Sequence, residues 1–285
     1  MTHASSPLPP IDYLIIGHVT DDLQDDGPAL TGGTVAFAGL TAAALGHQVG
    51  VLTACAAEKD LSLLSDLNIY AHLSKNTTAF RNIPTEAGRV QYLYHRADTL
   101  DQNSIPDAWL EAPIVHLGPV AAEIDPQIYE AFPNAMLCLT PQGWLRGVDA
   151  ESRVHPTDWP FDHALLKAAH ATVLSLEDVQ GREELIDEFA AMSRILVVTE
   201  NQRGCRVYWN GSVSHFPAPS RALVDDTGAG DIFAAAFFHR LYHSQDAWEA
   251  ARFAVILAAN SVSRRRLESI PTAEEIAAAQ TEILG

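Results

Sequence analysis

Cysteine is scarce in this chain: Cys55, Cys138 and Cys205 are its only three, odd in number and widely spaced. That excludes a disulfide framework and a CxxC metal site, and it fits reduced thiols in the cytosol. Positive charge is scarce as well. Eighteen Lys plus Arg stand against 36 Asp plus Glu, a formal charge of −18, and such a balance repels phosphate backbones and anionic lipid. No nucleic-acid or membrane partner is therefore expected, and Arg264-Arg265-Arg266 is too short a basic run to reverse that. No stretch approaches the roughly 18 apolar residues of a spanning helix. The opening MTHASSPLPP lacks the charged start and apolar core of a secretory signal, so a cytoplasmic location is expected. GxSxG, HExxH and a GxGxxG after a strand are absent too, which removes the chemistries tied to those motifs.

What is present is 47% hydrophobic residues over 285 positions, enough to bury a large core without metal or disulfide staples. A single domain over 1–285 is expected. Tyr13-Leu-Ile-Ile16 is a continuous apolar run ended by Gly17, as a strand buried on both faces would be. Apolar strands follow at 49–54, 114–117, 135–139, 171–174 and 195–199, separated by amphipathic stretches such as Glu183 to Met192. This alternation predicts a mostly parallel sheet between two helical layers, a three-layer α/β/α fold. Residues 68–97 break the pattern with short segments rich in Tyr, Thr, Val and Phe, punctuated by Pro84 and Gly88, and predict an inserted β lid. Asn210-Gly211 predicts a hairpin turn. Helices are expected over 230–242, 247–263 and 273–284.

The sharpest motif is Asp225-Asp-Thr-Gly228-Ala229-Gly230-Asp231, which leads directly into the apolar helix Ile232-Phe-Ala-Ala-Ala-Phe-Phe. Small residues at a helix start let backbone N–H groups converge on an anion, and the helix dipole adds favourable potential. Asp231 is then a carboxylate held beside that anion, and an Asp facing a buried helix without a task would be costly. Gly32-Gly33-Thr34 is a second glycine site; it misses a P-loop because Gly33 stands where Lys is needed, but adjacent glycines allow a polar ligand close to the backbone. Asp21 and Asp22 follow the first strand, where open α/β sheets bind ligands, and a carboxylate there suits two hydroxyls of a polyol. His239 and His243 are spaced i, i+4 with no third ligand evident, and are assigned to a helix surface.

Together these residues resemble the ribokinase-like (PfkB-type) carbohydrate kinases over nearly the whole chain, from Gly17 to about Pro271. The resemblance is most specific at Asp226-Thr-Gly-Ala-Gly-Asp231, with Asp225 in the first Asp place and Asp226 where a second Thr is usual. It implies Asp231 as catalytic base and the Gly228, Ala229 and Gly230 amides as anion hole. Gly32-Gly33 resembles the family's first glycine signature, with Phe37 in its Asn place, and Asp21 sits where the family's early substrate-binding Asp would be. Thr140-Pro-Gln-Gly-Trp-Leu-Arg146 resembles a segment near the phosphate path and implies Gln142 and Arg146. Ser175-Leu-Glu-Asp178 resembles the element that organises Mg²⁺, with Asp178 in its acidic place. Thr199 through Gly204, with Asn201 replacing the first Gly, and Asn260 resemble nucleotide-lining elements. The segments 17–22 and 77–94 are most similar to the myo-inositol kinase branch.

The resemblance implies an ATP- and Mg²⁺-dependent kinase for a hydroxyl of a small sugar or polyol. The alternatives are a nucleoside kinase of the same fold and a kinase-like sensor that has lost turnover. A monomer or a homodimer suits the sequence equally.

Overall fold

The computed structural model describes residues 8–85 and 88–281. Among the described residues, fifteen strands and six helices follow in chain order. The strands of the first half are β1 Tyr13–Ile16, β2 Thr20–Asp22, β3 Leu30–Gly32, β4 Val49–Cys55, β5 Asn68–Leu73, β6 Thr78–Thr85, β7 Gly88–His95 and β8 Ile114–Leu117. Those of the second half are β9 Met136–Leu139, β10 Arg146–Val148, β11 Val154–Pro156, β12 Ala171–Ser175, β13 Ile195–Thr199, β14 Cys205–Trp209 and β15 Ser212–Phe216. The helices are α1 Thr34–Ala44, α2 Ala164–Ala168, α3 Glu183–Met192, α4 Ala229–Ser244, α5 Ala247–Ser261 and α6 Ala273–Thr281.

The central sheet has nine strands in the order β15-β14-β13-β12-β9-β8-β1-β4-β5. From β13 to β5 neighbours run parallel, while β14 and β15 are antiparallel at one edge. Successive side chains of a strand point to opposite faces, and the core divides accordingly. Tyr13, Ile15, Val49, Val51 and Val197 join α1, α4 and α5 on one side. Leu14, Ile16, Leu52, Val115 and Val198 join α2, α3 and a series of short turns on the other. The three-layer expectation is met, and the apolar runs are explained by burial on both faces.

The residue patterns account for the helices. Phe233, Ala234, Ala235, Ala236 and Phe237 of α4 are buried, so α4 is apolar nearly all round, as a helix packed between sheet and neighbouring helices must be. At the start of α5 the Asp246 carboxylate accepts the Trp248 and Glu249 amides at 2.8 and 3.1 Å, an N-cap. Asn210 and Gly211 both have positive φ, 52° and 72°, and close the β14–β15 hairpin as a primed turn. The expected last helix is described from Ala273 to Thr281; residues 282–285 lie outside the described residues.

The expected lid at 68–97 divides in two. Asn68–Leu73 pairs with β4 in parallel register and forms the edge of the central sheet. Its half-exposed alternation, which suggested a wet lid face, is that of an edge strand. The lid proper is a separate four-stranded sheet, β3-β2-β6-β7, so it also recruits Thr20–Asp22 and Leu30–Gly32 from the loop after β1. Residues 86–87 of the expected lid lie outside the described residues. The small ribbon β10–β11 adjoins β7, where the Leu93 amide donates to the Ser152 carbonyl at 2.9 Å.

Candidate active site

The loops that leave the carboxyl ends of β1, β8, β9, β12 and β13 gather on one edge of the sheet, where open α/β folds bind ligands. The amino end of α4 meets them there. Gly228 caps α4 in the left-handed conformation, φ 83°. Asp225 shapes the approach: its Oδ1 accepts the Thr227 amide at 2.9 Å and its Oδ2 the Arg266 amide at 3.1 Å. The Ala229 amide donates to the Asp226 carbonyl at 3.1 Å. Of the three amides expected to line the anion hole, that of Ala229 is thus already engaged within the turn.

Asp231 stands in the first turn of α4. Part of the residue reaches the surface, yet its carboxyl is poorly solvated. Burial pushes it up to about 6 from 3.8, against the pull of the Thr34 hydroxyl and the Arg146 charge, with Asp178 adding to the rise. Thr34 is the first residue of α1, placed by Gly32-Gly33, with Gly33 as the N-cap. One function of the glycine pair is therefore to bring the Thr34 hydroxyl to Asp231.

Arg146 leads β10 and brings charge to the same place. Its Nη1 donates to Gln91 Oε1 of the lid at 3.2 Å, and its Nη2 lies 3.7 Å from Asp178 Oδ1. Ser175 and Asp178 lock each other: the Ser175 amide donates to Asp178 Oδ2 at 2.9 Å, and the Asp178 amide to Ser175 Oγ at 3.1 Å. Gln142 lies in the short turn 141–145 that follows β9. Thr199 ends β13, and Gly204 opens β14 at a point where a β-carbon would fall 1.9 Å from the Phe216 carbonyl oxygen. Gly204 is thus required by the backbone there, whatever it does toward a ligand. Asn260, on α5, accepts from Arg221 Nε at 2.8 Å, and Asn201 donates to Glu177 Oε1 at 2.9 Å. A hollow of about 420 Å³ lined by Leu176, Glu177, Gly181, Glu200 and Asn201 lies beside these turns. A larger one, about 810 Å³, opens at the opposite edge of the sheet among His170, Arg194 and Trp209 and is unrelated to Asp231.

Asp21, expected to bind the acceptor, is already paired with a cation. Side chains alternate along β2, and Asp21 turns to Lys59, whose Nζ donates to Asp21 Oδ1 at 2.6 Å and to Thr31 Oγ1 at 3.0 Å. Asp22 takes the other face, beside Gly32, where its Oδ2 pairs with Arg266 Nη2 at 2.7 Å. Arg266 ties this corner together: it also donates to the Thr31 carbonyl at 3.0 Å, and its guanidinium lies 6.0 Å from the Phe37 ring centroid. Phe37 in turn packs against Gly228. Asp22, Arg266 and Phe37 thus form a chain of contacts that ends at Gly228, three residues before Asp231, and Thr34 bonds Asp231 directly. The strict alternation of a strand was the signal available for Asp22; nothing in the run 264–266 distinguished Arg266, whose φ of 50° reflects the tight turn after α5.

Residues 164–273 match the family described as pfkB family carbohydrate kinase. Cytidine kinase of Thermococcus kodakarensis is 25% identical over 255 residues, which span 80% of this chain and 87% of that protein. Inositol 3-kinase of Zea mays is 30% identical over 152 residues, 51% of this chain and 38% of that one. Among solved structures, a pyrophosphate-dependent kinase in the ribokinase family, complexed with a pyrophosphate analog and myo-inositol, has a TM-score of 0.78 at 22% identity and covers 90% of this chain and 98% of its own. Ribokinase from Thermotoga maritima has a TM-score of 0.73 at 17% identity and covers 95% and 100%. The fold is therefore ribokinase-like.

Proposed function

We propose that this chain, a phosphotransferase of the pfkB-type, ribokinase-like kind by the matches above, transfers the γ-phosphoryl group of ATP to a hydroxyl of a small polyol or sugar, with Asp231 as general base. The observation that carries this reading is the carboxyl of Asp231, raised to about 6 by burial at the amino end of α4. A base of that strength is ionised at neutral pH and still takes a proton readily.

Phosphoryl transfer asks a protein for in-line placement and charge stabilisation more than for covalent chemistry. Asp231 accepts the proton of the attacking hydroxyl. The amides of Gly228 and Gly230, with the dipole of α4, stabilise charge on the transferred group. Arg146 supplies the positive charge that a protein of net charge −18 otherwise withholds from an anionic donor. On the acceptor side, Asp22 and the Gly32-Gly33 backbone face the polyol, and the lid closes over it.

Mg²⁺ suits the donor set. Asp178 keeps Oδ1 toward Arg146 while Oδ2 is held by its own turn, and hard oxygen ligands completed by water and phosphate are what this ion prefers. Asp178 would hold it, directly or through water, and the ion would neutralise the donor phosphates. The nucleotide lies along Thr199, Gly204 and Asn260. A second donor, inorganic pyrophosphate, is worth testing beside ATP, because the Asn260 Oδ1 assigned to the base already accepts from Arg221 Nε at 2.8 Å.

A coupled assay with inositols, hexoses and nucleosides, each with ATP or pyrophosphate and with or without Mg²⁺, tests the proposal. Turnover of a polyol or sugar is the expected result. Turnover of nucleosides alone, or ligand binding without turnover, replaces it with one of the two alternatives.

A further inference from the structure

His239 and His243, left on a helix surface by the sequence, have a third partner. His47, in the turn between α1 and β4, completes a group in which one ligand atom from each histidine lies within 4.8 Å of the others. The group sits at the carboxyl end of α4, on the order of 12 to 18 Å along the helix from Asp231, so it is separate from the phosphoryl-transfer site.

The arrangement is built around His47. Its Nδ1 donates to Asp12 Oδ1 at 3.0 Å, and the same oxygen accepts the Gln48 amide at 2.9 Å. A carboxylate on one imidazole nitrogen fixes the tautomer and aims the lone pair of the other. That other nitrogen, His47 Nε2, faces His239 Nδ1 at 2.9 Å. Two nitrogens bound to one tetrahedral Zn²⁺ at its usual bond length are about 3.3 Å apart, so only a small separation of the rings is needed. His243 lies on the same helix face one turn beyond His239, its ring stacked 6.1 Å from that of His47. His47 is 9% exposed, so the site backs onto the protein interior while His243 faces outward. The neighbouring cation, Arg240, is occupied by Glu249 at 2.5 Å.

We propose that His47, His239 and His243 form a three-histidine site for a divalent transition metal of the zinc class, with Asp12 as the carboxylate behind His47 and water as the remaining ligand on the exposed side of His243. Imidazole nitrogens select such ions over Mg²⁺, which demands oxygen. The ion would pin the last turn of α4 to the α1–β4 turn, and it takes no part in phosphoryl transfer.

The test uses untagged protein stripped with a chelator. Calorimetric titration with Zn²⁺ should give one equivalent, and Co²⁺ should give the visible absorption of a four-coordinate centre. Zn²⁺ should raise the melting temperature of the wild type and leave that of His243→Ala unmoved. Asp12→Asn, which keeps all three imidazoles, should weaken binding by about 10- to 100-fold. Absence of stoichiometric binding, or equal binding by wild type and His243→Ala, overturns the site. The Co²⁺ spectrum reads the wild type alone, so the proposal stays falsifiable should a variant fold poorly.

Discussion

The ring of Phe37 lies so close to Gly228 that a β-carbon on the glycine would fall 2.1 Å from its Cδ1. Phe37 stands on α1 and Gly228 caps α4, so the contact fixes how the amino end of α4 sits above the first glycine segment. The residue that departs from the family resemblance is thus a packing partner of the proposed anion hole.

Gly228→Ala should accordingly be destabilising on two grounds. The left-handed backbone costs a β-carbon about 1 to 2 kcal/mol, and overpacking against the ring adds about 1 to 3 kcal/mol. Phe37→Ala removes only the second. In a double-mutant cycle read by denaturant unfolding, the two changes together should cost less than the sum of each alone. Additive costs would show that ring and glycine do not meet in solution.

Asp231 should trade stability for activity. Its folded value is raised to about 6 from 3.8, so between those values the native state binds more protons than the unfolded one, and stability falls as pH rises through that window. The penalty is fully present above about pH 6 and amounts to about 3 kcal/mol at most. Asp231→Asn should therefore melt higher than wild type near neutral pH and lose that advantage at about pH 4, while kcat falls by about 10²-fold or more. In the wild type, kcat/KM should rise with pH through about 6. A variant that keeps its turnover removes Asp231 from the role of base.

The sequence revealed most where one physical pattern dominated. Strands buried on both faces, such as Tyr13–Ile16 and the run Ile195 to Val198 of β13, are apolar and were placed from that alone. The DTGAGD segment was legible because acids next to a buried helix are unusual. Asn68–Leu73 was misplaced because an edge strand of the main sheet has the same wet alternation as a lid strand. His47 escaped notice because 192 residues separate it from His239, and no local spacing can announce a contact made by topology. Arg266 was hidden for the same reason.

The division of residues 68–97 has a consequence for truncation. Excising Tyr70 to Tyr94 would remove most of β5 and expose the edge of β4. Replacing only Asn82 to Gln91 with a short turn keeps β5 and the pairing of β6 with β2 through Thr78, Ala79 and Phe80. That shorter excision should leave cooperative unfolding intact and raise the KM of the polyol, since much of the β6–β7 hairpin proposed to close over it is lost. Loss of cooperativity would make the hairpin part of the main folding unit.

The two faces of β2 separate Asp21 from Asp22 by experiment. Asp22 lies on the face shared with Gly32 and Arg266, which leads through Phe37 to Gly228. A charged hydrogen bond to a substrate hydroxyl contributes roughly 1.5 to 3 kcal/mol, so Asp22→Asn should raise the polyol KM about tenfold or more and leave the donor KM nearly unchanged. Asp21 holds the ammonium of Lys59, whose side chain is only 5% exposed. Asp21→Asn leaves that charge without its counter-ion at a buried position, and its effect should appear in the melting temperature before it appears in either KM. Measuring both variants by steady-state kinetics, with each substrate varied separately, and by thermal unfolding distinguishes positioning from folding. If Asp21→Asn raises the polyol KM at unchanged melting temperature while Asp22→Asn does nothing, the acceptor binds on the Lys59 face of the lid, and the corner formed by Asp22, Arg266 and Phe37 serves only to join the lid to α4.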